Sequence, residues 1–280
     1  MEIEKGYKVF ITGAGSGIGR ATSLAISKFG TRLFLSDINQ NGLDKTVELI
    51  TEGGGEVCRY KALDVSDLNQ VKEFAGEIHR DFGPMHIVMN IAGIALFALI
   101  EDMSHSHWQK VINVNLWGPI HIIECFLPEM IRAKRGHLVN VASIAGLTGA
   151  PWHSAYSASK FGLVGLSEVL RYDLFQHNIG VTLICPGAVE TPLKNTVEIL
   201  GVDTEGEDVK EAKRRFSEFA IPPERVASQI INAIQKNRFL VITSFDVRFL
   251  YFCKHHLFPL YHYFMKSVSR LLNSGRYPKI

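Results

Sequence analysis

Cysteine is sparse in this chain, and what there is does not pair. Cys58, Cys125, Cys185 and Cys253 are scattered over 280 residues, and no two have C-x-x-C or metal-ligand spacing. A redox dithiol and a cysteine-based metal site are therefore excluded. Each thiol lies in an apolar stretch, the pattern of reduced, part-buried cysteines in a reducing, cytoplasmic setting. Net charge is low: 30 cations against 28 anions leave +2, too little to bind nucleic acid by bulk electrostatics. Residues 1–8 carry Glu2, Glu4, Lys5 and Lys8 and lack the apolar core of a signal peptide. Phe82 to Ile100 approaches a membrane span in length, but Gly83, Pro84, His86, Asn90 and Gly93 interrupt it, so it reads as a buried strand plus a loop. No repeat or low-complexity tract is visible, nor any Gly-, Pro- or Ser-rich linker before Ser244.

What is present is a regular alternation. Short β-type runs (Tyr7–Thr12, Arg32–Ser36, Glu56–Lys61, His86–Asn90, His137–Ala142, Val181–Cys185, Phe239–Thr243) are separated by amphipathic helical runs: Gly17–Phe29, Gln40–Thr51, Asp67–Asp81, Ser104–Asn115, Gly118–Ala133, Ser154–His177 and Pro223–Lys236. Strands alternating with helices of this length indicate βαβ units. The expected fold is α/β: one doubly wound, Rossmann-type domain over 1–244, with a seven-stranded parallel sheet and helices on both faces. Two segments break the rhythm. Residues 188–221 are too long for a simple connection and sit where lids and substrate loops usually do; they are charged from Asp203 to Arg215. Residues 245–280 form an aromatic-rich helical extension.

The loop Gly13-Ala14-Gly15-Ser16-Gly17-Ile18-Gly19 follows the first strand and opens the first helix. Glycines let the backbone turn tightly and approach a pyrophosphate, and the helix start presents N–H groups to it. Asp37 ends the next strand, at a spacing that suits a carboxylate on the adenosine ribose hydroxyls. The same carboxylate repels the 2′-phosphate of NADP, and Ser16 supplies no cation, so NAD is the expected cofactor and NADP the lesser candidate.

Tyr156 and Lys160 are one helical turn apart and share a face. An ammonium near a phenol favours the phenolate and fits it for general acid–base work. Ser143 lies at the carboxyl end of a strand, where ligands bind in open α/β sheets, and offers a hydroxyl to a substrate oxygen. Taken alone, Y-x-x-x-K has little meaning; combined with Ser143 and the glycine loop it describes a site.

On these motifs the chain resembles the short-chain dehydrogenase/reductase family from Tyr7 to about Thr243. Thr12–Gly19 is similar to that family's TGxxxGxG loop, and Tyr156–Lys160 to its YxxxK, with a serine thirteen residues upstream. The resemblance implies further roles. Asn115 takes the place of the catalytic asparagine, holding a water that links Lys160 to solvent. Asp64 and Val65 contact the adenine. Asn90, Ala92 and Gly93 belong to the loop below the active site. Pro186, Gly187, Val189 and Thr191 close over the nicotinamide. Lys160 lowers the tyrosine pKa and binds the nicotinamide ribose. In this reading Ser143 holds the substrate oxygen and Tyr156 exchanges its proton. Ile91 stands where the family often has a second asparagine. The family also forms dimers or tetramers through its helices equivalent to Gly118–Ala133 and Ser154–His177.

The substrate mouth is expected to include Ala145, Gly149, Pro151, Trp152, His153 and Val189 beside Ser143 and Tyr156. Its apolar bias suggests a lipophilic secondary alcohol or ketone as the small-molecule partner. His105 and His107 lack partners for a metal site and read as surface or capping residues. Residues 245–272 hold eight Phe or Tyr side chains, with Arg248, Lys254, Lys266 and Arg270 against one acid, Asp246, and Pro259 divides them into pieces too short to span a bilayer. Three readings stay open, in this order: the tail walls the substrate cleft, makes a peripheral membrane contact, or packs on another subunit. Rival functions are an NADPH-preferring carbonyl or 3-oxoacyl reductase, a non-catalytic dinucleotide-binding regulator, and a membrane-bound scaffold.

Overall fold

Strand β1 (Lys8–Thr12) shows why the sheet lies at the centre of the molecule. Its side chains alternate between faces: Val9 and Ile11 join one apolar cluster and Phe10 the other. A strand whose central residues are apolar on both faces needs cover on both sides. The computed structural model describes residues 1–201, 214 and 217–273, without the side chains of 194 and 195. After β1 come α1 (Gly17–Ser27), β2 (Arg32–Asp37), α2 (Gln40–Glu52), β3 (Glu56–Ala62), α3 (Leu68–Phe82), β4 (Ile87–Asn90), β5 (Leu96–Phe97), α4 (His105–Ile112), α5 (Gly118–Ala133), β6 (Gly136–Val141), α6 (Ser154–Asp173), β7 (Ile179–Cys185), α7 (Leu193–Thr196), β8 (Glu198–Ile199), α8 (Pro223–Gln235), β9 (Leu240–Ile242), α9 (Phe245–His256) and α10 (Phe258–Leu272).

The main sheet has seven strands in the order β3-β2-β1-β4-β6-β7-β9, and every pair in it is parallel. Ile26 of α1, Ile50 of α2 and Ile230 of α8 cover one face; Phe74 of α3 and Phe126 and Met130 of α5 cover the other. The strand order reverses between β1 and β4. There the loops after adjacent strands diverge and leave a crevice at the carboxyl ends, the usual ligand position in such sheets.

Local detail departs from the sequence pattern in four places. The helices over Ser104–Asn115 and Gly118–Ala133 are not separate: a π-helical turn, Asn113–Trp117, joins α4 to α5. The run to His177 ends as α6 at Asp173, followed by a 3-10 turn over Phe175–His177. A second, two-stranded sheet pairs β5 with β8, which the short runs at 96–97 and 198–199 did not announce. Pro259 does not merely divide the tail but opens α10, where the missing N–H costs nothing. Most of the charged half of 188–221 lies outside the described residues. His107 accepts from the Ser104 N–H at 3.1 Å and closes a capping box on α4.

His137 in β6 has a consequence for stability. Its Nε2 lies 2.8 Å from Thr182 Oγ1 in β7, and Thr182 gives its own proton to the Arg238 carbonyl, so Nε2 is the donor to Thr182. Burial pushes the imidazole down to about 3. Between pH 6.5 and 3 the unfolded chain therefore binds a proton that the folded chain refuses, and stability falls as pH falls, by roughly 4 kcal/mol over that window. Denaturant midpoints measured across this range are expected to fall less steeply in His137→Asn than in the parent. Equal slopes would show that the imidazole does not carry the effect.

Candidate active site

The site is assembled at the carboxyl ends of β1, β4, β6 and β7. At the first of these the chain turns through Gly13, whose φ is +68°, and a Cβ there would stand 2.8 Å from the backbone of Ala92. At Gly19 a Cβ would stand 1.9 Å from the Gly13 carbonyl oxygen. These glycines let the loop fold back onto the start of α1. Thr12 ties the loop to the one after β4: its hydroxyl oxygen accepts from the N–H groups of Ile91 and Ala92 at 3.0 and 3.1 Å. The Asp37 carboxylate accepts from the N–H of Gly15 at 2.8 Å and of Asn39 at 2.9 Å. Arg20, which the sequence reading passed over, donates to the carbonyls of Gly15 and Gly42 and to Thr46 Oγ1. Its charge is thus spent bracing the loop against α2. A backbone cradle too tight for side chains, at a helix start and beside a carboxylate, fits a dinucleotide. Ser16 caps α1 without a side-chain bond, Ile18 packs on the core, and a Cβ at Gly17 would meet Thr191 Cγ2 at 2.9 Å.

Asp64 and Val65 follow β3, and the Asp64 carboxylate closes a turn by accepting from the Ser66 N–H and hydroxyl at 2.9 and 2.7 Å. Asn90 donates to Asn140 at 2.9 Å, and Asn140 to Ser167 at 2.9 Å. This buried chain links β4, β6 and α6; Asn140 and Ser167 gave no sequence signal beyond being polar within apolar runs.

Asn115 is fully buried in the widened turn. Its side-chain amide accepts from the Ile94 N–H and donates to the Ile94 carbonyl, both at 2.9 Å, and donates to Ser159 Oγ at 3.2 Å. Ser159 in turn donates to the Tyr156 carbonyl at 2.7 Å. A regular helix leaves no slack to turn a side chain inward in this way; single π turns often serve functional sites. Gly93 lies between Asn115 and Lys160, with 3.1 Å from its would-be Cβ to Asn115 Oδ1 and 3.5 Å to Lys160 Nζ.

Lys160 is 4% exposed and donates to the Val141 carbonyl at 3.1 Å. Burial pushes its ammonium down to about 8. Its Nζ stands 5.8 Å from the centre of the Tyr156 ring. Burial pushes the Tyr156 phenol up, and a hydrogen bond with the Ser143 side chain opposes that shift. Among the chain's own groups, then, burial outweighs the acidifying effect that the Tyr–Lys spacing suggests. Ser143 Oγ also accepts from the Ala145 N–H at 3.1 Å. Beneath the pair sits Cys185, whose thiol burial pushes up to about 12, so it stays neutral.

The mouth is aromatic. The Phe97 ring, absent from the sequence reading, lies 4.1 Å from that of His153 and 6.1 Å from that of Tyr156, centre to centre. Burial pushes the His153 pKa down, and Nδ1 donates to the Pro151 carbonyl at 2.7 Å. Trp152 takes a left-handed φ of +68°, a costly conformation for a bulky residue. The tail bears on this loop: Trp152 Nε1 donates to Asn273 at 2.9 Å, Tyr261 to the Gly149 carbonyl at 3.1 Å and Lys254 to the Leu147 carbonyl at 2.5 Å. Ala145 is buried behind the mouth, and Gly149 lies under the tail. Pro186 accepts from the Ile144 N–H at 2.8 Å, Gly187 packs against Val247 of α9, and Val189 bridges to Ile221.

Comparison with known proteins decides the family. The profile of short chain dehydrogenases matches residues 7–199. The chain belongs to that family. It is an oxidoreductase of the short-chain dehydrogenase type, and its cofactor is a nicotinamide dinucleotide. The Mycobacterium tuberculosis protein SadH is 34% identical over 256 residues, covering 89% of this chain and 90% of that one. The 3-oxoacyl-[acyl-carrier-protein] reductase FabG of Thermotoga maritima is 37% identical over 193 residues, covering 69% and 78%. A short chain dehydrogenase/reductase of Burkholderia phymatum, solved in complex with NAD, superposes with a TM-score of 0.82 at 30% identity, covering 93% of this chain and 96% of that one. Among the described residues no helix is long and apolar enough to cross a membrane.

Proposed function

We propose that this short-chain dehydrogenase is NAD(H)-dependent and interconverts a lipophilic secondary alcohol and its ketone, with Tyr156 as general acid and base. The observation that carries the reading is the gathering of Ser143 and the Tyr156 phenol, on which its side chain acts, with a buried Lys160 whose Nζ lies 5.8 Å from the phenol ring and a buried Asn115. The bound nicotinamide supplies the hydride acceptor or donor. The glycine loop with Ser16, Ile18 and Asp37, then Asp64, Val65, Asn90, Ala92, Gly93, Pro186, Gly187, Val189 and Thr191, would hold the dinucleotide. Ser143 donates to the substrate oxygen and holds it beside the phenol. Tyr156 takes the hydroxyl proton during oxidation and returns it during reduction. Lys160, brought down to about 8, exchanges protons near neutral pH and, while charged, favours the phenolate. Asn115 braces the Tyr156–Lys160 turn through Ser159 and borders the space next to Lys160. Phe97, Trp152 and His153 give the mouth its affinity for apolar groups.

Free cysteines at all four positions support a reducing, cytoplasmic setting. Exposed Trp117, Tyr172 and Phe175 at the edges of α5 and α6 support a homo-oligomer, dimeric or tetrameric. The likeness to FabG favours one second reading, reduction of a 3-oxoacyl group with NADPH.

The decisive test follows NADH absorbance over a panel of steroid, retinoid and long-chain secondary alcohols. At least one is expected to be oxidised with NAD in preference to NADP; no turnover with any of them, or turnover only of 3-oxoacyl substrates with NADPH, overturns the reading. Cofactor choice is checked separately through Asp37→Ser. Removing the carboxylate next to the ribose position is expected to raise the ratio of kcat/KM for NADP over NAD at least ~10-fold, the effect of about 1.4 kcal/mol of lost repulsion. An unchanged ratio leaves Asp37 without a part in cofactor choice.

A further inference from the structure

Helices α9 and α10 have two unlike faces. The inner face buries Val247, Cys253 and Tyr261 and grips the loop 147–152 through the three hydrogen bonds from Lys254, Tyr261 and Trp152. The outer face shows Phe245, Phe249 and Phe252 at one helical stripe of α9, and Leu260 and Phe264 with Tyr263 on α10, all exposed; Phe245 is 82% and Tyr263 68% accessible. A groove of about 410 Å³ lined by Tyr251, Phe252, His255 and His256 opens there. Clustered exposed aromatics of this kind mark an interaction surface.

Charge says what it meets. Lys266 and Arg270 are exposed among these aromatics, Arg248 turns back to donate to the Ile242 carbonyl at 3.0 Å, and Asp246 is the sole acid of the two helices. A second copy of the chain, paired by a two-fold axis, would lay this patch on itself and set cations facing cations with only Asp246 to offset them. An anionic surface answers both the aromatics and the cations. Fifteen residues of α10 cannot span a bilayer, so the pair lies in the interface plane, as aromatic, cationic amphipathic helices do.

We propose that α9 and α10 dock by this face on an anionic lipid bilayer and, by holding residues 147–152, bring the substrate mouth to the membrane surface. The second half rests on the lipophilic substrate proposed above. The full chain is sedimented with vesicles rich in phosphatidylglycerol or made of phosphatidylcholine alone. Binding to the anionic vesicles is expected to be roughly thirtyfold tighter, the effect of two interfacial cations, and to weaken with salt. Phe249→Ser with Phe264→Ser, outside the catalytic machinery, is expected to lose at least about tenfold of that binding with its melting temperature kept. In a chain with Trp108→Phe and Trp117→Phe, brominated lipid is expected to quench Trp152. Equal binding to both vesicle types, or binding untouched by the two serines, overturns the docking; so does a Phe264→Cys chain that cross-links to its own copy without lipid. Absent quenching overturns the placement of the mouth. None of these readouts uses turnover, so a failure of the substrate reading is seen separately in the alcohol panel.

Discussion

Tyr156→Phe is expected to lower kcat/KM for any oxidised alcohol by on the order of a thousandfold while leaving NADH affinity within a few-fold of the parent. The phenol is the proposed proton carrier, with Lys160 Nζ 5.8 Å from its ring centre, and a positioned proton-transfer group is worth ~10²–10⁴ in rate. The substitution removes one oxygen and keeps the ring that packs against Phe97 and His153, so fold and mouth persist. The affinity should hold because the glycine loop and Asp37 are untouched. Steady-state kinetics with a fluorescence titration of NADH separates the two effects. A variant that keeps even a tenth of the parent activity would show that proton transfer runs through another group. If binding falls along with turnover, the tyrosine is structural rather than catalytic.

Gly19→Ala is expected to cost at least ~100-fold in dinucleotide affinity. The methyl would stand 1.9 Å from the Gly13 carbonyl oxygen, less than any tolerated contact, and that oxygen is backbone with no side chain to swing aside. Relief requires the loop to open, and opening it moves the N–H groups at the start of α1 that would face the pyrophosphate. Overpacking of this kind typically costs 1–3 kcal/mol of stability. The melting temperature should therefore drop by several degrees while β1 and α1 still form. Gly54→Ala is the control. Gly54 has nothing within 4 Å of its would-be Cβ, so strain from its positive φ is felt there but no clash. If the two variants bind NADH alike, the cradle does not lie where the glycines place it.

The proposed Ser143–Tyr156–Lys160 site was legible in the sequence because spacing carries it, and Asn115 came only from the family resemblance. Tyr156 and Lys160 share a helical face at any four-residue interval, and Ser143 follows a strand that its own apolar run betrays. Less legible was how Asn115 reaches them. Read as a helix end, it turns out to sit in a π turn within a continuous helical segment, and that turn and α4 pack against α6, which lies about forty residues further along the chain. The aromatic at the mouth was missed for the same reason. Phe97 sits in a two-residue strand whose partner, β8, is about a hundred residues away, and no local window of sequence contains both. Arg20 looked like an ordinary helix-surface cation, yet its guanidinium braces the glycine loop.

By itself the sequence determined the order of strands and helices, the parallel sheet, the glycine turn before α1 and the shared helical face of Tyr156 and Lys160. All of these follow from periodicities of two and 3.6 residues and from glycine's freedom at a tight turn, which act over a few neighbouring residues. Tertiary structure alone decided the rest. It set the direction in which the Tyr156 and Lys160 protons are biased, because burial comes from elements distant in the chain. It fixed which stripe of α9 and α10 faces the loop 147–152 and which faces outward, because an amphipathic pattern names two faces without saying what meets either.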